Sequence, residues 1–273
     1  MPIKTDGTGK RWVEMEVLVP GTPEQVWQAM ATGPGMTAWF VRGEIEPRVG
    51  GKFSLDWGLG AVTTGEVTTW KAPHTIGYVE REWVPNAPPV ATEITVIGRA
   101  GNQCVVRMVH SLFTLSDEWD DQIEGFASGW PGFFAVLRIY LEHFAGATAG
   151  SFIVMTPASA DSLSTWVRLT DTLGLAGANV GERRTASSGP EAWSGIVEHI
   201  RQDDEQRYVL LRLDAPSPGI ALVGTSNAAS LGGSTVSLCR YVYGDNAVAL
   251  AAESETSWRD WLSKTFEPQG ATA

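Results

Sequence analysis

His110, in the stretch QCVVRMVHSLF, stands where the sequence offers chemistry. If that stretch is a strand, alternation puts His110 on one face with Cys104, Val106, Met108 and Leu112, the more apolar face, which should look inward. Arg107 and Ser111 would then meet solvent or a neighbouring domain. An inward imidazole is either a satisfied core group or a polar anchor for a guest. In TIGYVEREW, Tyr78, Glu80 and Glu82 alternate with Val79, Arg81 and Trp83. A solvated outer row is expected for the acidic groups, because a buried unpaired carboxylate is costly. Were Glu80 inside with His110, the two would form an acid/base pair, with Tyr78 as a further proton-bearing group.

Aromatic residues supply candidates for a cavity wall. Trp39 precedes the first strand of the expected sheet, Trp57 shares the alternating face of Phe53 and Leu55, and Trp130 and Phe134 head an apolar stripe. Tyr78, Met108 and His110 complete the expected binding set. A planar or apolar guest suits such a surface.

Other chemistries find no support. The chain has no G-x-S-x-G, no G-x-x-x-x-G-K-[ST], no H-E-x-x-H and no C-x-x-C. The glycines of GLGAVTTG lack dinucleotide-loop spacing and read as a hairpin turn. His74, His110, His143 and His199 are scattered, so no metal or cofactor is expected. Cys104 and Cys239 read as buried reduced thiols. Residues 1–146 hold 11 Lys and Arg against 17 Asp and Glu, and the remainder 9 against 14. Neither half offers a basic face to nucleic acid or an anionic membrane. With no run of about 18 apolar residues and no apolar leader in MPIKTDGTGKRW, the expectation is a cytoplasmic protein without membrane insertion.

The elements that must position these groups follow from pattern and punctuation. WVEMEVLV is a strand, and GTPEQVWQAM a helix with Thr22 as N-cap and Pro23 in its first turn. FVRGEIEP, GKFSLDW, AVTTGEVTTW, TIGYVEREW, ATEITVIGR and QCVVRMVHSLF are extended segments separated by turns. Trp130, Phe133, Phe134, Leu137, Tyr140, Leu141 and Phe144 keep a helical period, with Arg138 and Glu142 off the stripe. Interior proline is costly, so Ser128 is expected to cap this helix with Pro131 in its first turn. The acidic SDEWDDQIEGF is then a separate or kinked segment, an exposed acidic cap or a docking surface for a basic protein partner.

Residues 151–273 repeat the plan with fewer strands: SFIVMT as an opening strand, ASADSLSTWVRLTDTL as a helix and WSGIVEHIR, RYVLLRL, GIALVGT and STVSLCRYVYG as extended segments. A closing helix follows, with Ala247, Leu250, Ala251, Ser254, Trp258, Trp261 and Leu262 on one side and Asp245 or Asn246 as cap. AGATAG places a linker at 147–150, and GERRTASSGPEA (181–192) reads as a mobile loop. The expected class is α+β, a tandem helix-grip fold in which each curved antiparallel sheet wraps a long C-terminal helix, with domains 1–146 and 151–273.

The segments EVLVPGTPEQVWQAM, AWFVRGEIEPRVGGKFSLDW, GEVTTWKAPHTIGYVEREW, ATEITVIGRAGNQCVVRMVHSLF and EGFASGWPGFFAVLRIYLEHF together resemble the START-related, polyketide-cyclase-like helix-grip superfamily. They are most similar to bacterial proteins resembling the C-terminal domain of the ATPase activator of the ninety-kilodalton heat-shock chaperone. The resemblance covers about residues 12–146 and rests on TPEQVW after a strand, Gly50 and Gly51 before one, GEV before a turn, and Gly129 with Trp130. The second half lacks the Gly-Gly pair and the Gly-Trp opening. The resemblance implies an internal apolar cavity, used by various members for lipids, hormones or polyketides, and no single activity. The first expectation is therefore binding of a small hydrophobic molecule by the first domain. The alternatives are a cyclase, dehydratase or hydrolase acting on such a ligand, and a chaperone-accessory module.

Overall fold

In the computed structural model, which describes residues 3–58, 60–81, 83, 86–114, 116–204, 206–228 and 233–267, the alternation of WVEMEVLV becomes the strand β2 (Lys10–Pro20), edged by a short β1 (Lys4–Thr5). Helix α1 (Pro23–Ala31) starts at Thr22, whose hydroxyl accepts from the Gln25 amide at 3.3 Å while the Gln25 side chain accepts from the Thr22 amide at 2.9 Å. This reciprocal cap satisfies two otherwise open donors. A second short helix, α2 (Gly33–Thr37), was not expected from the sequence. It packs against the end of α1 so tightly that a Cβ on Gly35 would fall 1.9 Å from the Gln28 carbonyl oxygen.

Strands β3 (Arg42–Ile45), β4 (Lys52–Asp56), β5 (Val62–Lys71), β6 (Thr75–Arg81), β7 (Val90–Arg99) and β8 (Gln103–Phe113) follow, then helix α3 (Asp120–His143). The sheet order is β1-β2-β8-β7-β6-β5-β4-β3, antiparallel throughout. Short connections make consecutive strands neighbours, and the opening strand closes against β8.

Helix α3 corrects the sequence reading. Pro131 is inside it, and the acidic run supplies its own first turn through Asp120 and Asp121 rather than a separate segment. Ser128 does not cap; its hydroxyl donates to the Gly125 carbonyl at 3.0 Å, back-bonding within the helix. The N-cap position is Trp119, without a side-chain cap bond. What holds this end is distant in sequence: Arg11 grips the Asp120 carboxylate through Nε at 2.7 Å and through Nη2. A two-point guanidinium pair beside a positive helix end stabilises the extra turns that the proline opposes. The aromatic stripe behaves as expected, with Trp130, Phe134, Leu137, Tyr140 and Leu141 buried and Arg138 and Glu142 exposed. Pro131 is itself exposed. Substituting Pro131→Ala should raise stability by about 2 kcal/mol, the interior penalty less the loss of proline's restraint on the unfolded chain. Urea unfolding measures it; an unchanged midpoint would mean that the helix already accommodates the ring without loss.

The chain divides into compact units Met1–Gly146 and Ala147–Ala273. The second contains β9 (Ala149–Pro157), α4 (Ser162–Thr172), β10 (Arg183–Ala186), β11 (Trp193–Gln202), β12 (Gln206–Ala215), β13 (Gly219–Ala228), β14 (Gly233–Tyr243) and α5 (Ala247–Phe266). Its sheet runs β10-β11-β12-β13-β14-β9, so the opening strand again lies beside the last and the winding of the first unit is repeated with fewer strands. Cys104 and Cys239 both sit on the strand before the closing helix, buried and free. Asp161 caps α4 by accepting from the amides of Leu163 and Ser164, each at 3.0 Å.

Four expectations for this half are corrected. Ala149 and Gly150, assigned to a linker, begin β9; glycine is there because a Cβ on Gly150 would fall 2.3 Å from the Ala247 carbonyl oxygen. Arg183–Ala186, inside the expected mobile loop, is a strand paired with β11. Asn246 is the N-cap of α5 but makes no side-chain cap bond, and Leu250 is 41% exposed while Phe266 joins Ala247, Ala251, Trp258 and Leu262 in the buried stripe.

Candidate functional site

Unshifted pairing of β8 with both β2 and β7 fixes its alternation. Cys104, Val106, Met108, His110 and Leu112 are all buried on the inner face. On the other face Arg107 donates to Glu14 Oε1 at 2.6 Å, and Lys4 donates to Oε2 at 2.9 Å. That pairing holds the Glu14 carboxyl down at about 2, chiefly through Arg107. Ser111, expected to meet solvent, is instead 5% exposed, flanked in register by Trp12 and Ala91.

Register builds the site. Tyr78 of β6, Thr92 of β7 and His110 of β8 are direct cross-strand partners, so three polar side chains lie in one inner row. All are buried, at 2%, 2% and 6% exposure. Thr92 Oγ1 and His110 Nδ1 are hydrogen-bonded at 2.8 Å, the direction set by the tautomer, and Thr92 is also a hydrogen-bond partner of Tyr78. Burial pushes the His110 imidazole down to about 4, and burial with the nearby Glu80 charge raises the Tyr78 phenol, so both are neutral at pH 7.

Glu80 corrects the expected outer row: it shares the inner face with Tyr78, half-buried. Thr63 makes this tolerable by donating to Glu80 Oε1 at 2.8 Å, while Trp57 Nε1 donates to the Thr63 hydroxyl at 3.3 Å. Burial raises the Glu80 carboxyl and the Thr63 bond partly offsets it. Glu82 lies outside the described residues. Although Glu80 and His110 both face inward, β7 runs between them. Two strand spacings and a two-residue offset put their backbones about 12 Å apart, too far for a direct acid/base pair.

Trp39, wholly buried, donates from Nε1 to the Ala29 carbonyl at 2.9 Å. Phe40, which sequence reasoning missed, is the hub: its ring lies 4.7 Å from Trp130, 4.8 Å from Phe133, 5.3 Å from Trp57 and 5.5 Å from Trp39. Phe134 stacks on Trp130 at 5.4 Å and Trp39 at 6.5 Å. Phe53 stacks on Tyr78 at 3.8 Å, and His110 on Trp130 at 5.5 Å and 22°. The structure thus brings Trp39, Trp57, Trp130, Phe134 and His110 into one aromatic group, with Phe53 and Tyr78 as a stacked pair. Met108 lies one inner row further along, opposite Ile94 and Met15. A separate recess of about 270 Å³ runs along β3, β4 and β5, lined by Glu44, Glu46, Lys52, Ser54 and Thr64 besides Ile45, Phe53 and Gly65. Among the described residues no cluster of His, Cys, Asp and Glu fits a metal ion, and no helix is long and apolar enough to cross a membrane.

A sheet that clasps its C-terminal helix, with helices inserted after the first strand and an apolar inner face, defines the helix-grip class, here in tandem. Residues 20–142 match the family described as Activator of Hsp90 ATPase homolog 1-like protein, and the first unit is similar to that family over this stretch. No curated relative matches the sequence. Among solved structures, the di-domain ARO/CYC BexL from the BE-7585A biosynthetic pathway is 13% identical, with 95% of this chain and 99% of that chain covered and a TM-score of 0.44. DynU16, from the dynemicin biosynthetic locus, is 18% identical over 93% of this chain and 94% of that chain, with a TM-score of 0.43. An HSP90 activator from Plasmodium falciparum is 22% identical over 48% and 94%, with a TM-score of 0.39.

Proposed function

We propose that the first unit binds a small, largely apolar and planar molecule between its sheet and α3, without cofactor or metal. The observation that carries this reading is the inner row Tyr78, Thr92 and His110 set against the Trp39, Phe40 and Trp130 aromatics. Burying three polar side chains costs more than an aliphatic row would, and a short polar line in an aromatic surround is what orients a guest bearing one or two oxygen atoms. Neutral groups suit a neutral guest, because they hydrogen-bond without a charge to desolvate. The separation of Glu80 from His110 favours binding over acid/base catalysis.

A screen of fatty acids, sterols and polycyclic phenols by tryptophan fluorescence, with native mass spectrometry of the purified protein, tests the proposal. At least one phenolic aromatic is expected to quench emission saturably, and His110→Ala to weaken it about tenfold, the worth of one hydrogen bond to a buried group. Unsaturable emission changes with every class, together with no co-purified molecule, would refute it.

A further inference from the structure

Arg240 lies within the second unit and is 1% exposed. It takes the eighth position of the eleven-residue β14, as His110 does in β8. Its partners Phe152 and Ala221 occupy the places of Val13 and Thr92 beside His110. Where the first unit sets a neutral imidazole on its inner face, the second sets a cation.

The hydrogen-bond acceptors of that cation among the described residues are all neutral. Nη1 donates to the carbonyls of Ile220, at 3.4 Å, and Tyr241, and Nη2 to the Ser217 hydroxyl at 3.2 Å, while the buried Nε–H has no acceptor among the described residues. Glu191, the nearby carboxylate, is turned to Trp258 Nε1 at 2.8 Å and the Ser254 hydroxyl at 3.4 Å. A buried guanidinium with no carboxylate hydrogen-bonded to it among the described residues is costly to keep out of water. Burial lowers its pKa only to about 10, so it stays charged at pH 7.

Its surroundings make room for the charge and draw it to one end of the sheet. A Cβ on Gly219 would fall 2.0 Å from Nη1, so the guanidinium lies in the space that glycine leaves. It reaches the β12–β13 turn, where Ser217 is half-buried between exposed Pro216 and Pro218. In the same lateral row as Gly219 and Val242 is Gly150, over which the first turn of α5 passes. That twenty-residue helix begins without a side-chain cap, so its positive end is at this edge too. Trp193, stacked on Trp258 at 4.5 Å, lies two residues beyond Gly195, a member of the same row, and its buried Nε1 also has no acceptor among the described residues.

We propose that the second unit binds an aromatic carboxylate, received by the Nε and Nη2 edge of Arg240 beneath the β12–β13 turn, with the start of α5 and the Trp193 and Trp258 pair beside it. Those two nitrogens form one of the bidentate edges of a guanidinium, a fit for two carboxylate oxygens that a lysine would lack. The site stands independently of the reading of the first unit.

The test is calorimetric titration of the full chain with 2-naphthoate and with the neutral isostere 2-naphthamide. Saturable naphthoate binding is expected, at least tenfold tighter than the amide, lost in Arg240→Met and several-fold weaker in Arg240→Lys. The lysine variant and the amide keep the test open should Arg240→Met fail to fold. No naphthoate binding, equal binding of acid and amide, or binding that Arg240→Met and Arg240→Lys both leave unchanged overturns the proposal.

Discussion

Replacing Trp130 with alanine is expected to lower the stability of the first unit by about 4 kcal/mol, the usual range for deleting a buried indole. Trp130 is 7% exposed and its ring meets Phe40, Phe133, Phe134, Trp39 and His110, so the vacated space is walled by rigid rings that collapse poorly. Denaturant unfolding of the full chain, followed by near-ultraviolet dichroism, measures the loss. The variant should also gain a property that the parent lacks: indole added in solution fills the hole and raises the melting temperature in proportion to the logarithm of its concentration. A cost under about 1 kcal/mol, with no response to indole, would show that the ring stands in open space rather than in a packed wall, and the aromatic surround would lose its place in the binding proposal.

Much of this fold was readable because its signals are local. Thr22 and Pro23 announce α1, alternation announces β2 and β8, and the stripe from Trp130 to Leu141 announces α3. What was not readable depends on partners far along the chain. Local signals put Pro131 at a helix start because nothing near it in sequence reveals that Arg11 anchors turns upstream. Local sequence turns Glu80 outward because the hydroxyl that makes its burial tolerable belongs to Thr63 on the neighbouring strand. Thr92, central to the site, carries no signal of its own; only the register across β6, β7 and β8 places it between Tyr78 and His110. Phe40 was visible beside Trp39, but its role as hub depends on α2, a five-residue helix too short to leave a period. Arg240 likewise reads as one more strand residue until β9 and β13 enclose it.

His110 should make the first unit acid-sensitive in a way that His110→Gln does not. Burial holds its folded pKa at about 4 against 6.5 for an ordinary histidine. Between these values the unfolded chain takes up a proton that the folded protein refuses, so stability falls as pH drops from 6.5 to 4, by about 3 kcal/mol in all. Above 6.5 both states carry neutral imidazole and the effect vanishes. Two carboxylates act in the same range: Glu14, held low by Arg107, loses its contribution as pH falls below the ordinary carboxylate value, and Glu80, raised by burial, becomes easier to bury as it protonates. Both are common to parent and variant and cancel in the difference. Urea unfolding at pH 7.5 and 4.5 should therefore show the parent losing about 2 to 3 kcal/mol more than His110→Gln. The His110 ring resonances should not titrate above about pH 5 while the protein stays folded. Equal acid losses in the two proteins, or an imidazole titrating near 6.5, would mean that water reaches the ring. The inner row would then present a cation at mildly acidic pH, and a neutral guest would no longer be the molecule it is suited to hold.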